Sequence, residues 1–222
     1  VTDASIGESF RMFRVVPGEL FVGDRGYASA ANVRHVVNGG GAVLVRINLT
    51  NLPLLDVRGE PFPLLKRLRS LGGTRLGDWP VWVRDGVRRI PGRVCALKKS
   101  RVAAERARHK ALHDNQRKGR RVRPETIEAA GYTFVFTTLK GHMPPSAVLE
   151  LYRGRWQVEL AFKRLKSLIG IGHLRKADPE SAKAWIHGKL FVAFLIEALI
   201  AAAERFSPWG YPLSADQSFP VA

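Results

Sequence analysis

Cysteine is nearly absent. Cys95 is the only one in 222 residues, so no internal disulfide is possible and the chain suits a reducing compartment. Acid is scarce beside base: 19 Asp and Glu stand against 36 Lys and Arg, a formal net charge of +17. A small domain needs only about 2 to 8 charges for solubility, so a surface this basic fits a polyanion, of which nucleic acid is the commonest. Long hydrophobic runs are missing too. Leu190 to Ala203 is the longest, about 14 residues with Glu197 inside it, where a membrane-spanning helix takes about 20. It reads as a buried helix of a soluble protein with no membrane partner. The first residues, VTDASIGESF, hold no apolar signal segment. The glycines at 39–41 lack a following Lys-Ser/Thr and make no phosphate loop; His109 and His113 lack the Glu and the third ligand of a zinc site.

Hydrophobic residues are 45% of the chain, enough for a core in one domain with an insertion or in two small domains. The apolar run from Gly18 to Asp24 predicts a buried strand. RGYASAANVRHVVNGG after it predicts a turn and a helix, and residues 41–49 a second strand, a β–α–β order that suggests a layered α/β core. Residues 61–71 predict a short helix, and DWPVWVRDG and RRIPGRVCALKK two strands around a turn at Asp85-Gly86. Cys95 falls in the second of these, as a packing residue. RVAAERARHKALHDNQRKGRRVR (101–123) carries nine bases against two acids and predicts a solvated helix running into a basic loop. Its Arg117, Lys118, Arg120, Arg121 and Arg123 are either solvated or a nonspecific DNA contact. GYTFVFTTL (131–139) is a β-branched and aromatic strand. Everything from Pro145 predicts helix: one long element closed by Gly170 or Gly172, then another with Asp178 as N-cap and Pro179 at its first position.

Within the long helix, LYRGRWQVELAFKRLK (151–166) sets one carboxylate, Glu159, among five basic residues. Tyr152, Arg155, Glu159, Lys163 and Lys166 step by three or four and share a helical face. Two readings fit this spacing. One is an ordinary exposed face whose i,i+4 ion pairs contribute about 0.2–0.5 kcal/mol each. The other is a nucleic-acid site in which the cations hold phosphates, the ring stacks on a base and the lone acid holds a metal ion.

Tyr152-x2-Arg155-x3-Glu159-x6-Lys166 resembles the Y-R-E-K signature of bacterial DDE transposases of the insertion-sequence-four type. DRGY (24–27), after an apolar strand, looks like that family's second-aspartate motif, and FVFTTL is similar to its usual last strand. The likeness covers about residues 1 to 205. It implies an α/β fold: an RNase H-like (retroviral-integrase-type) core with a β-rich insertion. Residues 1–40 would be the part of the core that carries the second aspartate, 41–140 the insertion, 141–205 the C-terminal core helices, and 206–222 a loose tail. The resemblance further implies that Asp24 and Glu159 are catalytic metal ligands. The complete site holds two ions of Mg2+ (or Mn2+), one activating the nucleophile and the other stabilising the leaving oxygen. Tyr152, Arg155, Lys163 and Lys166 would bind the transposon end, with Trp79 or Trp82 as candidates for an assisting aromatic, although a tryptophan on a strand is more often core. Partners would be double-stranded DNA, both transposon ends and target, and a second copy in a homodimer when complete; the location would be the bacterial cytoplasm, at the nucleoid.

The family also needs a first aspartate on the first core strand. Asp3 is the only earlier aspartate and has two residues before it, too few for a strand. The expectation is therefore the C-terminal part of a transposase, incomplete as a catalyst. The alternative is a catalytically dead basic remnant that holds DNA. An RNA-binding scaffold is a third possibility, against which a Glu at the centre of the stripe argues.

Overall fold

The computed structural model describes residues 9–117, 119, 123–168, 170 and 178–205; for part of the last two helices, Glu159 included, only the backbone is described. The expected tail at 206–222, a stop at Gly172, and Lys118, Arg120 and Arg121 of the basic cluster lie outside the described residues. The chain divides into two compact units, Val1–Arg155 and Trp156–Ala222.

The first unit opens with a 3-10 turn at Phe10–Met12, then β1 (Leu20–Gly23), α1 (Ala30–Asn38) and β2 (Ala42–Arg46). β1 and β2 are parallel, with Leu20 opposite Ala42 and Gly23 opposite Val45. The helix waits until Ala30 because the preceding residues form a turn and Ser29 caps it, its hydroxyl accepting from Asn32 N at 3.3 Å. β2 stops at Arg46, short of 49, because Asn48 turns the chain: its Oδ1 accepts from Thr50 N at 2.8 Å and Asn51 N at 2.7 Å.

Next come β3 (Leu54–Leu55), α2 (Leu64–Arg69), β4 (Gly77–Asp85), β5 (Arg88–Lys98), α3 (Arg101–Gln116), α4 (Pro124–Ala129) and β6 (Tyr132–Thr137). β4 and β5 meet in the expected hairpin, with Gly86 at φ +60 supplying the left-handed backbone. α4, with Pro124 in its first turn, is the kind of start that proline favours, although periodicity over six residues was too short to announce it. All six strands form one sheet in the order β1-β2-β6-β5-β4-β3. β6 returns to pair antiparallel with β2, Arg46 opposite Val135. The strand-rich middle of the chain thus extends the sheet begun by the β–α–β unit, and the fold is mixed α/β.

Strand alternation sorts the core into two faces. Val43 and Val45, Val94 and Ala96, Phe134 and Phe136 pack with Val33 and Val36 of α1 and Leu64 and Leu68 of α2. Leu44, Cys95 and Val135 point the other way and pack with Val148, Leu149 and Tyr152. Those last three belong to α5 (Pro145–Leu168), whose first half closes the second face. Cys95 is a buried packing residue, and burial pushes its thiol up to about 12. Trp79 is half-buried against the first cluster, 6.2 Å from the Phe62 ring, which is the core role; Trp82 is half-buried on the opposite face of β4.

The second unit holds the end of α5 and α6 (Pro179–Arg205). Asp178 caps α6, its Oδ2 accepting from Ser181 N at 2.7 Å, and these bonds hold the carboxyl below its ordinary range. The run from Leu190 was expected to be buried. Within this unit Phe191, Phe194 and Leu199 are instead exposed. No described helix is long and apolar enough to cross a membrane.

Candidate functional site

Asp24 follows β1 directly and opens a tight turn. Its Oδ1 accepts from Gly26 N at 2.9 Å, and its carbonyl from Tyr27 N at 3.3 Å. The turn is fixed from several sides. The buried Asn32 side chain donates to Tyr27 O at 2.9 Å and accepts from Ser9 Oγ at 3.0 Å and Phe10 N at 3.2 Å. The Phe10 and Tyr27 rings stack at 4.7 Å, and Asn51 donates to Arg25 O at 3.2 Å. A side chain anchored this way costs little entropy to hold in place. Among the described residues the other Asp24 oxygen takes no hydrogen bond.

Topology decides what surrounds it. The C-terminal ends of β1, β2 and β5 and the N-terminal end of β6 lie at one end of the sheet, since Gly23 pairs with Val45, Arg46 with Val135, and Lys98 with Tyr132. In the alternation Asp24 follows Leu20 and Val22, and Arg46 follows Leu44, so both fall on the face that α5 covers. The electrostatics agree. Burial first, then the charges of Arg25 and Arg155, hold the Arg46 guanidinium below its ordinary range, while Tyr152 and Asp24 oppose that shift. Lys99 follows β5 at the same end and donates to Ala130 O at 2.7 Å. Burial, then Arg46 and Arg25, bring its ammonium down to about 8. The end of the sheet is therefore a cluster of cations around one carboxylate, where each cation raises the cost of the next.

The start of α5 is held by a buried arginine. Arg93 is 6% exposed. Its Nη1 donates to Asp78 Oδ2 at 2.8 Å, its Nε to Leu139 O at 3.2 Å and its Nη2 to Met143 O at 2.5 Å. Leu139 and Met143 bracket the turn between β6 and α5. One guanidinium on β5 thus satisfies two carbonyls of the segment that aims α5 at the sheet.

Of the residues expected in the site, the structure brings Asp24, Tyr152 and Arg155 together around Arg46. The Tyr152 ring was read as open to a base. It is 9% exposed, packed with Leu44 and Val135, and the Arg155 guanidinium lies 5.6 Å over it. The Tyr152 hydroxyl is buried with no hydrogen-bond partner among the described residues. Glu159 lies on α5 in the second unit, with its side chain outside the described residues. Lys163 and Lys166 are exposed on the same helix, and Lys163 Nζ sits 5.4 Å over the Trp156 ring. Arg25, Arg46 and Lys99 are what sequence reasoning missed in the first unit; in the second, Trp156 is 50% exposed. A charge terminating an apolar strand was the available signal for Arg46 and Lys99.

Asp24 is the hard oxygen donor that Mg2+ accepts, and its second oxygen fits such an ion. Among the described residues no three His, Cys, Asp or Glu side chains form a group that could hold a metal.

The family model described as Transposase DDE domain matches residues 6–195. The transposase for insertion sequence element IS421 from Escherichia coli is 34% identical over 215 residues, covering 94% of this chain and 58% of that protein. A protein of E. coli strain K12, provisionally named the transposase InsL of element IS186A, matches with the same identity and coverage. The transposase for element IS231F from Bacillus thuringiensis subsp. israelensis is 43% identical over 53 residues, 24% of this chain and 11% of that protein. The chain spans 58% of the length of the E. coli relatives. No solved structure matches it.

Proposed function

The chain belongs to the transposase DDE domain family, and from that premise we propose that it is the part of an insertion-sequence transposase that carries the second aspartate and the glutamate, Asp24 and Glu159. Residues 1–40 and the helices of 141–205 would be part of an RNase H-like core, with 41–140 as its β-rich insertion. The substrate is double-stranded DNA at the element's ends, cut and joined by metal-dependent phosphodiester transfer.

The observation that carries this reading is the cation cluster around Asp24. Burial first, and then the charges of Arg25 and Arg155, hold Arg46 below its ordinary range, and burial, then Arg46 and Arg25, lower Lys99. A phosphodiester relieves the repulsion among these cations with its anionic oxygens, so the site gains from binding what a neutral site would not. Arg46 and Arg155 hold the phosphate. Tyr152 packs α5 on the sheet and keeps Arg155 in place, and Trp156 offers the exposed aromatic face on which a base could stack. Asp24 and Glu159 would hold the divalent ions, which when bound supply activation of the attacking oxygen and stabilisation of the leaving one. In the stretch 151–166 the cations would take the DNA, and the lone carboxylate, Glu159, would take an ion that the cations would otherwise exclude.

The test is cleavage of a labelled element end by a protein of the relatives' full length. Glu159→Gln and Asp24→Asn should each abolish cutting while DNA binding persists, because only the charge that holds the ion is removed. Cutting at the parental rate by Glu159→Gln would make Glu159 a helix-surface acid. Loss of DNA binding by Arg46→Ala and Arg155→Ala, with no cutting by any form, would favour the reading of a remnant that holds DNA without chemistry.

A further inference from the structure

We propose that the outer face of α3 is a second DNA-binding surface, which grips the phosphate backbone of duplex DNA apart from the Asp24 end of the sheet. This rests on DNA being the partner and adds a surface to that reading.

α3 is a helix with little reason to exist as packing. Of its 16 residues only Ala104 is buried. Ala107, Ala111, Leu112, Asp114 and Asn115 are half-buried, and Arg108 turns back to lie against Gly131. At about 100° per residue, Arg106, Lys110 and His113 of the helix and Arg117 at its C-cap fall within roughly 60° of one another on the opposite side. All four are exposed. The stripe is about 16 Å long at 1.5 Å per residue. Glu105 lies to one side of it, where it pairs with Arg101 at 3.5 Å, and Asp114 falls to the other side, so no acid interrupts it.

A helix that only needed to be soluble would alternate charge along its face, since i,i+4 pairs of opposite sign stabilise it and pairs of like sign destabilise it by about 0.2–0.5 kcal/mol each. Arg106 with Lys110 has the unfavourable sign, and Lys110 is followed along the stripe by Arg117. Stability comes instead from the Ser100 cap, whose Oγ accepts from Ala103 N at 3.3 Å. A face that holds like charges in line complements a ladder of phosphates, spaced at one charge per ~1.7 Å of duplex. α3 also starts just after Lys99, at the end of the sheet where the cation cluster sits, so one duplex can run from the cluster onto the helix.

The experiment is salt-dependent binding of the chain to a fluorescein-labelled 20-base-pair duplex of arbitrary sequence, read by anisotropy. Arg106→Ala/Lys110→Ala/Arg117→Ala should lower the magnitude of the log–log salt slope by about 2 to 3, and the affinity at 0.1 M salt by on the order of 10²-fold. A control of equal charge change at the opposite side of the sheet, Arg58→Ala/Arg84→Ala/Arg88→Ala, should leave the slope within about 0.5 of the parent. Equal losses in both triples would mean net charge alone acts, and an unchanged slope in the stripe triple would remove α3 from the interface; either overturns the proposal. If circular dichroism shows that the triple loses helix, Lys110→Gln alone should still lower the slope by about 1, and no change there overturns it equally. Tighter binding to single-stranded RNA than to the duplex would overturn the choice of occupant. Should Arg46→Ala/Arg155→Ala lose binding while the stripe triple keeps it, the α3 surface fails and the reading of the Asp24 end stands; a parent chain that binds no DNA at low salt removes both.

Discussion

Replacing Arg93 by Met keeps an unbranched apolar stem and removes its three hydrogen bonds. The guanidinium is buried, and its partners are the Asp78 carboxylate and the carbonyls of Leu139 and Met143. Removing one member of a fully buried ion pair costs about 3–5 kcal/mol. The Asp78 side chain is 35% exposed, so water can take over part of its charge, while two carbonyls lose a charged donor worth about 1.5–3 kcal/mol each at most. A net loss of roughly 2–4 kcal/mol follows. Asp78→Asn leaves the carbonyl bonds in place and should cost about 1–2 kcal/mol. Urea unfolding of the chain gives both numbers. Hydrogen exchange gives the location: in Arg93→Met the amides of residues 139–150 should exchange faster than in the parent, relative to those of α1. A loss within about 0.5 kcal/mol, or faster exchange spread evenly over the chain, would refute the view that Arg93 aims the helix.

Two further outcomes follow from groups at the end of the sheet. Lys99 has a folded-state value of about 8, below the ~10.4 of an unfolded lysine. The folded chain thus gives up that proton first: the penalty for holding the ammonium is complete below about pH 8, and stability gains as pH rises from there towards about 10.4. Lys99→Met should flatten that rise when parent and variant are compared by urea unfolding between pH 7 and 10, and a difference independent of pH would refute it. Tyr152→Phe removes a buried hydroxyl that no described residue pairs, so the melting temperature should stay level or rise; a loss beyond about 1 kcal/mol would show that the hydroxyl has a partner.

How much was readable beforehand depends on whether a feature is local. Asp24 was legible because an apolar run ends on it and a turn follows, and α5 because its apolar and charged positions keep helical spacing. The Asp85-Gly86 hairpin was legible for the same reason. Arg46 and Lys99 were not, because they reach Asp24 only through the β1–β2, β2–β6 and β5–β6 pairings, and nothing in a strand's own sequence names its neighbour. Tyr152 shows a related limit. Spacing puts it on one face with Arg155, but whether that face is open or packed depends on where the sheet lies under the helix, and Val148 and Leu149 carry the ring onto Leu44 and Val135. Nothing in the sequence singled out Arg93 in so basic a chain; its burial goes with the turn between β6 and α5, whose Leu139 and Met143 carbonyls it holds.

The most direct measurement asks whether Asp24 and Glu159 meet at one ion. Fe2+ bound in place of Mg2+, with ascorbate and peroxide, cuts a polypeptide backbone beside the bound metal, and mass spectrometry reads the ends. Cuts are expected next to Asp24 and next to Glu159, both suppressed by excess Mg2+, and both lost together in Asp24→Asn. Cuts at one carboxylate that survive substitution of the other, or cuts confined to His109 and His113, would contradict a shared metal site.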